Sequence, residues 1–337
     1  MSGAEVTRDG LGGVRPGRDA RSWSGGDGAR SARAPKDHPG GSYYGKPIIK
    51  PPVWAESDIA GYLFAGGLAG VSSILAAGGD LRGRPRLARD CKLCATAAIG
   101  VSLVALIHDL GRPARFLNML RVFKPTSPMS VGVWILAAYA PLTIASAAGD
   151  VLGIAPRSAR AAGLGAGVLG AGVASYTAAL IANTAVPAWH GGYRELPFLF
   201  VGSAAAAGAG FALAAAPLAE NAPAQRMAVL GAAAELAAEQ LMERRLGMVA
   251  EALHEETAGR RLRAAKALTL AGGVGAATVA QRNRLGAVLS GVALLTGSAL
   301  TRFGLFAAGM ASARDPKFTV EPQRERLDRQ EVANPTR

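Results

Sequence analysis

The stretch HDLGRPARFLNMLRVFKPTSPMS, residues His108–Ser130, decides how this chain folds. It joins two apolar segments that are each long enough to cross a bilayer, yet it is neither a short turn nor a polar loop. Charged and apolar side chains alternate in it, as in a short helix that lies on the membrane surface with its apolar face down. Pro125 and Pro128 end this helix and start the next span. The rest of the chain is expected to be membrane spans arranged around this segment.

The composition points to a membrane protein. Half of the 337 residues are hydrophobic, and the charged residues form clusters between long apolar runs. Crossing about 30 Å of hydrocarbon takes about 20 helical residues, so each such run is a candidate span. The many Gly and Ala residues suit close packing between membrane helices. We predict an all-α fold: a polytopic integral membrane helix bundle of about eight transmembrane helices, with an amphipathic surface helix between the second and the third.

The predicted spans follow the apolar runs. They cover approximately residues 59–78, 93–109, 129–149, 161–183, 196–218, 224–246, 264–280 and 285–310. The sixth is interrupted by Glu235, Glu239 and Glu243, and whether it crosses the membrane completely is left open.

The chain divides into a membrane domain and two tails. Residues 1–41 are predicted to be a disordered basic tail, 42–310 the transmembrane domain, and 311–337 a polar, disordered tail. No apolar stretch follows Met1, so no cleavable signal peptide is expected. Lys and Arg are more numerous on the side that would hold both tails, although this excess almost disappears when the tails are left out. The positive-inside rule then places both termini in the cytoplasm.

The net charge of +13 raises the question of nucleic-acid binding. The charge lies mostly in the tails and between spans, and no basic face is interleaved with aromatic residues, so we expect no nucleic-acid partner. Cys91 and Cys94 form a lone CxxC, which is weak evidence for a metal or redox site. Two cysteines cannot ligate an iron–sulfur cluster, so no intrinsic cluster is expected.

Two glycine-rich patterns are interpreted as packing surfaces. Gly66 and Gly70 stand four residues apart in the first span, which lets another helix approach closely. GLGAGVLGAG, from Gly163, resembles a dinucleotide fingerprint, but it lies in an apolar span with no strand before it.

A few ionisable residues are candidates for chemistry. Asp109 and Arg112, at the end of the second span, are either a functional pair or an ion pair that fixes the turn. Glu235 and Glu239 share one helix face and suit a proton path, unless that helix leaves its carboxylates in water. No span holds a central histidine, so no haem is expected. His108 is either a quinone ligand or proton donor, or the cap of a helix end.

Four segments resemble the NrfD/polysulfide reductase family of integral membrane subunits. They are YYGKPIIKPPVW (43–54), GYLFAGGLAG (61–70), DLGRPARFLNMLRVFKPTSPMSVGVWIL (109–136) and NTAVPAW (183–189). DLGRPxRF is the most specific of these motifs, and the spacing of the later spans fits through about residue 310. The long basic N-terminal tail is not typical of the family core.

The resemblance implies a haem-free, eight-helix subunit of the cell's inner (cytoplasmic) membrane. Such a subunit exchanges electrons between a pool of menaquinone or another quinone and an iron–sulfur partner subunit. That partner usually serves a molybdopterin- or tungstopterin-containing catalytic subunit. The chain itself would be inactive alone, so no catalytic residue and no metal ligand is assigned to it.

The resemblance also implies a quinone site at the end of the bundle nearest the iron–sulfur subunit. The candidates at that end, with His108 added, are Trp54, Asp58, Tyr62, His108, Asp109 and Arg112. Which of them contacts the quinone is left open, because Trp54 and Tyr62 also suit anchors at the membrane interface.

Two other functions remain open. A secondary transporter would show inverted repeats and charges near the midplane, whereas the two halves show no convincing repeat and the charges gather at one end. A structural tether would hold a soluble enzyme without binding quinone.

Overall fold

The computed structural model describes residues 48–333 except residue 113, together with residues 6–7 and 10–11. Two short strands, β1 (Val6–Thr7) and β2 (Gly10–Leu11), pair antiparallel. The rest of the predicted disordered N-terminal tail lies outside the described residues.

Helices account for most of the described chain. In order they are α1 (Glu56–Leu81), α2 (Pro85–Asp109), α3 (Ala114–Met119), α4 (Pro128–Leu152), α5 (Pro156–Ala182), α6 (Pro187–Gly191), α7 (Leu196–Ala215), α8 (Ala222–Leu246), α9 (Glu251–His254), α10 (Glu256–Thr278), α11 (Arg284–Arg314) and α12 (Lys317–Ala333). Two 3₁₀ helices, Leu218–Glu220 and Gly247–Ala250, flank α8. Each predicted span corresponds to one long helix, although α2 and α10 begin eight residues before the spans predicted from 93 and 264. Pro residues stand in the first turns of α2, α4, α5, α7 and α8, where a helix tolerates them.

Six of the described helices are long and apolar enough to cross a membrane: α1, α2, α4, α5, α7 and α11. The prediction of a polytopic helical membrane protein is confirmed at this level. Helices α8 and α10 carry more charged residues and are not among the six, so the number of eight spans stays a prediction. Helix α3 has six residues and lies in the predicted surface segment, and its amphipathic role also stays a prediction.

The long helices pack as two sets of four. In the first set α1 contacts α2 and α5, and α4 contacts α5; in the second, α7 contacts α8 and α11, and α10 contacts α11. Contacts of α1 with α7 join the sets. The order of helix contacts is therefore the same in both halves, although the two halves of the sequence show no convincing repeat.

Glycines allow the closest helix contacts. A Cβ atom on Gly70 would meet the carbonyl oxygen of Gly170, where α1 crosses α5. The contact of Gly210 with Gly291, between α7 and α11, is equivalent. Gly163 is similarly pressed against Ser146. The interpretation of the glycine-rich patterns as packing surfaces is confirmed.

The C-terminal region departs from expectation. Helix α11 continues to Arg314 and α12 follows, so the expectation of a disordered tail over 311–337 is wrong for the described residues. The physical reason is local burial: Phe318 is buried in the core, and Lys317 forms a 3.1 Å ion pair with Glu251 of α9.

Candidate functional site

One end of the bundle gathers the start of α1 and the end of α2. There the His108 Nδ1 lies 2.7 Å from the Asp58 Oδ2. The side chain of His108 is 78% exposed, whereas that of Asp58 is 17% exposed. A carboxylate that accepts the Nδ1–H fixes the ring orientation and leaves Nε2 directed to another partner. The pair therefore presents an oriented imidazole at the end of the bundle.

The DLGRP turn next to this pair is built from several polar contacts. Asp109 Oδ1 accepts a hydrogen bond from the N–H of Ala55, 3.2 Å away, at the start of α1. Gly111 has a φ of +66°, a left-handed conformation that glycine adopts without strain. Arg115 Nη1 donates to the carbonyl oxygen of Leu110 at 3.3 Å. The motif thus joins the end of α2 to the start of α1.

The predicted Asp109–Arg112 pair is not formed. Arg112 is exposed and has no ion pair with any described residue, while Asp109 binds a backbone N–H instead. Of the two earlier interpretations, the geometry favours a turn that Asp109 fixes, but through the backbone rather than through Arg112.

Aromatic rings form an apolar wall at the same end. Trp54 stacks on Trp189, with ring centroids 5.9 Å apart, and Trp189 also contacts Phe306 at 5.6 Å. The Trp189 Nε1–H donates to the carbonyl oxygen of Leu305 at 2.8 Å. Trp189 was quoted within NTAVPAW but was not predicted as a site residue. In the sequence, only the NTAVPAW motif pointed to Trp189. The contact between Trp54 and Trp189 depends on how α6 packs against α11, which no local pattern shows.

Tyr62 lies one helical turn below Asp58 on α1. Residues four apart share a helix face, so Tyr62 and Asp58 lie on the same side of α1. Tyr62 is buried, with 2% exposure. Its backbone carbonyl oxygen accepts a hydrogen bond from Ser102 Oγ at 3.2 Å. Trp54, Asp58, His108 and Asp109 thus gather at one end, with Tyr62 deeper and Arg112 at the surface.

The carboxylates of α8 follow a gradient of burial. Glu243 lies at the same end of the bundle, 2.8 Å from His254 Nε2, and its side chain is 28% exposed. Glu239 is half-buried and interacts electrostatically with Lys266. Glu235 is 2% exposed and accepts hydrogen bonds from Thr301 at 2.6 Å and from Thr269 at 3.4 Å.

A buried arginine interacts electrostatically with this deepest carboxylate. Arg302 of α11 is 1% exposed, donates from Nη2 to the carbonyl oxygen of Phe200 at 2.8 Å, and stacks on the Phe200 ring. Among the described residues its Nε and Nη1 have no hydrogen-bond partner, and Glu235 interacts with it electrostatically. Arg302 was not among the predicted site residues, although a charged residue inside an apolar span is itself an indication of function.

The two cysteines lie away from these groups. Cys91 and Cys94 are buried and unpaired in α2, where Cys94 Sγ accepts a 3.4 Å hydrogen bond from Ser72. Within the described part of the chain, no three His, Cys, Asp or Glu side chains come together as metal ligands.

The apolar helices and the clustered end groups define the class: a multi-pass helical membrane protein. The family model described as "Polysulphide reductase, NrfD" matches residues 50–312, well over half of the chain. The chain therefore belongs to the NrfD family of membrane subunits of polysulphide-reductase-like complexes. Members of this family interact with quinones and typically pair with iron–sulfur and molybdopterin subunits. A search of curated proteins finds no match to this chain.

Proposed function

We propose that this chain is the quinone-binding subunit of a multi-subunit oxidoreductase. It exchanges electrons between the quinone pool, menaquinone or another quinone, and an iron–sulfur partner subunit that serves a molybdopterin- or tungstopterin-containing catalytic subunit. It lies in the inner (cytoplasmic) membrane with both termini in the cytoplasm. Family membership supports this function, and the observation that carries the site is the His108–Asp58 pair beside the Trp54–Trp189 stack.

The donor set fits a quinone. Such a ligand needs an apolar slot and hydrogen-bond partners for two carbonyl oxygens. The half-buried indole of Trp54, which stacks on the buried Trp189 ring, supplies apolar surface, and the His108 imidazole supplies a donor that Asp58 orients. When bound, a quinone supplies two-electron chemistry that takes up or releases two protons. His108 holds one such proton at Nε2, and Asp58 stabilises the charged ring.

Glu235 and Glu239 form the proposed proton path. Successive carboxylates on one face of α8 stand about 6 Å apart along the helix axis, and their burial increases from Glu243 to Glu235. Arg302 interacts electrostatically with Glu235, and the hydroxyl groups of Thr301 and Thr269 donate hydrogen bonds to its two carboxylate oxygens. A proton entering at His254 and Glu243 is thereby handed towards the centre of the bundle.

The test uses the intact complex in native membranes. Asp58→Asn and His108→Gln are expected to lower quinone-linked turnover about a hundredfold, because a positioned acid–base group is lost. Dye-linked turnover of the catalytic subunit, which bypasses the membrane subunit, should stay unchanged. His190→Gln is the matched control, since His190 binds the carbonyl oxygen of Ala182 and lies outside the pair.

Arg112→Gln and Asp109→Asn extend the same test to the other candidates. We expect both to lower quinone-linked turnover while dye-linked turnover is retained. Loss of both activities together would contradict the site assignment, because it indicates failed assembly.

The two rival functions are separated by purification from native membranes in mild detergent. Co-purified iron–sulfur protein with bound quinone supports the proposal, whereas iron–sulfur protein without quinone indicates a structural tether. A stable chain that carries neither iron nor quinone would favour the transporter.

A further inference from the structure

A cavity of about 490 Å³ opens at the other end of the bundle, where α1 ends and α8 begins. Its apolar wall includes Ile74, Leu75 and Met227, and its basic residues are Arg82, Arg84 and Arg226. The volume lies within the range of about 300–1,000 Å³ that is usual for small-molecule sites. Its lining residues on α1, Ile74 to Gly78, stand about 27–33 Å along the helix from Glu56, where α1 starts. It is therefore separate from the His108–Asp58 pair.

The three arginines of this cavity form no ion pair with the residues that the structure describes. Arg84 Nη1 donates to the backbone carbonyl oxygen of Glu220 at 2.8 Å, which fixes its position. The Glu220 carboxylate itself accepts the N–H of Leu87 at 2.9 Å and so serves the first turn of α2. Arg82 and Arg226 are exposed and form no ion pair with the described residues. Three guanidinium groups thus surround one cavity without a described counter-ion.

We propose that this cavity binds the phosphate group of an anionic ligand, either a phospholipid headgroup or a soluble phosphate. Guanidinium groups donate in a planar fork that matches phosphate oxygens, and they do so better than a point charge. The apolar wall next to them suits the first carbons of an acyl chain. Arg84 sets the position of the phosphate, and Arg82 and Arg226 close on it from the loop and from α8.

The test measures binding of dioleoylphosphatidylglycerol to the purified full-length chain in detergent by native mass spectrometry. Dioleoylglycerol, which lacks the phosphate, is the comparison lipid. The double variant R82A/R226A should bind phosphatidylglycerol at least about tenfold more weakly, because two charge-assisted contacts are lost. Binding of dioleoylglycerol should not change. Equal affinity of the wild-type chain for the two lipids would overturn the proposal.

The double variant R86A/R89A is the matched control. It removes two exposed arginines from the start of α2, at the same end of the bundle but outside the cavity wall. We expect its affinity for phosphatidylglycerol to change less than about twofold, as for other exposed charges. Equal losses in the two double variants would show attraction by net charge alone and would refute a defined site.

A second variant changes no charge. Gly78 lines the cavity, and a Cβ atom there would meet no atom within 4 Å, so Gly78→Leu fills open space without disturbing α1. It should also weaken phosphatidylglycerol binding, whereas Gly61→Leu, near the other end of α1 and equally unhindered, should not. Wild-type affinity in Gly78→Leu together with wild-type affinity in R82A/R226A would overturn the proposal.

Inorganic phosphate identifies the source of the ligand. If it competes with phosphatidylglycerol on the wild-type chain, the cavity accepts a soluble phosphate. If it does not compete while phosphatidylglycerol still depends on Arg82 and Arg226, the acyl chain is required and the ligand is a lipid. Both results support a phosphate site.

Discussion

At the residue scale, neighbouring side chains of one motif have different tasks. Asp109 binds the N–H of Ala55, and Gly111 provides the left-handed turn. His108 alone is paired to a carboxylate of another helix, Asp58. The sequence predicted that this end is important, but not that His108, rather than Arg112, would hold the polar contact. That choice depends on the distance between α1 and α2, which no local pattern encodes.

A prediction at this scale concerns Arg302 and Glu235. Arg302→Met removes a buried guanidinium that donates to the Phe200 carbonyl oxygen and stacks on the Phe200 ring, and it should destabilise the protein by about 1–3 kcal/mol. Adding Glu235→Gln replaces a buried carboxyl that interacts electrostatically with Arg302 by a neutral amide, and it should restore part of the loss. The midpoint of thermal unfolding in detergent measures both.

Arg302→Met, Glu235→Gln and the double variant together form a double-mutant cycle. If the two residues interact, the changes in stability are not additive. Additive losses in the double variant would contradict an energetic interaction between Arg302 and Glu235.

At the element scale, the packing of α6 against α11 requires glycine, which has no side chain, at position 309. A Cβ atom on Gly309 would overlap the indole of Trp189, which is fully buried. Trp189 in turn stacks on Trp54 at the start of α1, so three elements meet at this contact. The sequence predicted α11 as a span, but nothing in its apolar pattern distinguishes Gly309 from the other small residues of that helix.

We therefore predict that Gly309→Ala destabilises the fold by about 1–3 kcal/mol, because an overpacked core must shift. Gly61→Ala is the control on α1, where a Cβ atom would meet nothing within 4 Å. Since alanine favours helix more than glycine does, this control should be neutral or slightly stabilising. Detergent-solubilised protein heated before size-exclusion chromatography gives the comparison, and equal behaviour of the two variants would refute the overlap.

At the scale of the whole molecule, two four-helix units share one order of contacts, and polar groups collect at both ends of the bundle. The connection between α8 and α10 lies at the end where α1 begins, because Arg261 of α10 pairs with Glu56. Helix α8 begins at the cavity beside the end of α1. Helices α8 and α10 therefore run the length of the bundle beside the six apolar helices.

This arrangement predicts which face of the membrane each end of the bundle occupies. Val53 and Glu255 are exposed at one end and Arg86 at the other. Single cysteines at Val53 and Glu255 should react with a membrane-impermeant maleimide from the cytoplasmic face, and one at Arg86 from the opposite face. The native Cys91 and Cys94 are buried and should contribute little background.

Two results would contradict the topology. Labelling at position 255 from the same face as position 86 would show that α8 does not cross. Labelling at position 53 from the outer face would invert the orientation that the positive-inside rule predicts.

The sequence alone located each of the long membrane-span candidates, since apolar runs and prolines mark them, but not all of their limits: α2 and α10 begin eight residues before the spans predicted from 93 and 264. Local composition also identified the small residues that line helix contacts, because only glycine and alanine let backbones approach so closely. The tertiary structure alone decided which distant groups meet: His108 with Asp58, Trp54 with Trp189, and Thr301 with Glu235. It also brought Arg82, Arg84 and Arg226 to one cavity. The physical reason is that periodicity fixes the face on which a residue lies, whereas the neighbour of that face is fixed by how the helices cross.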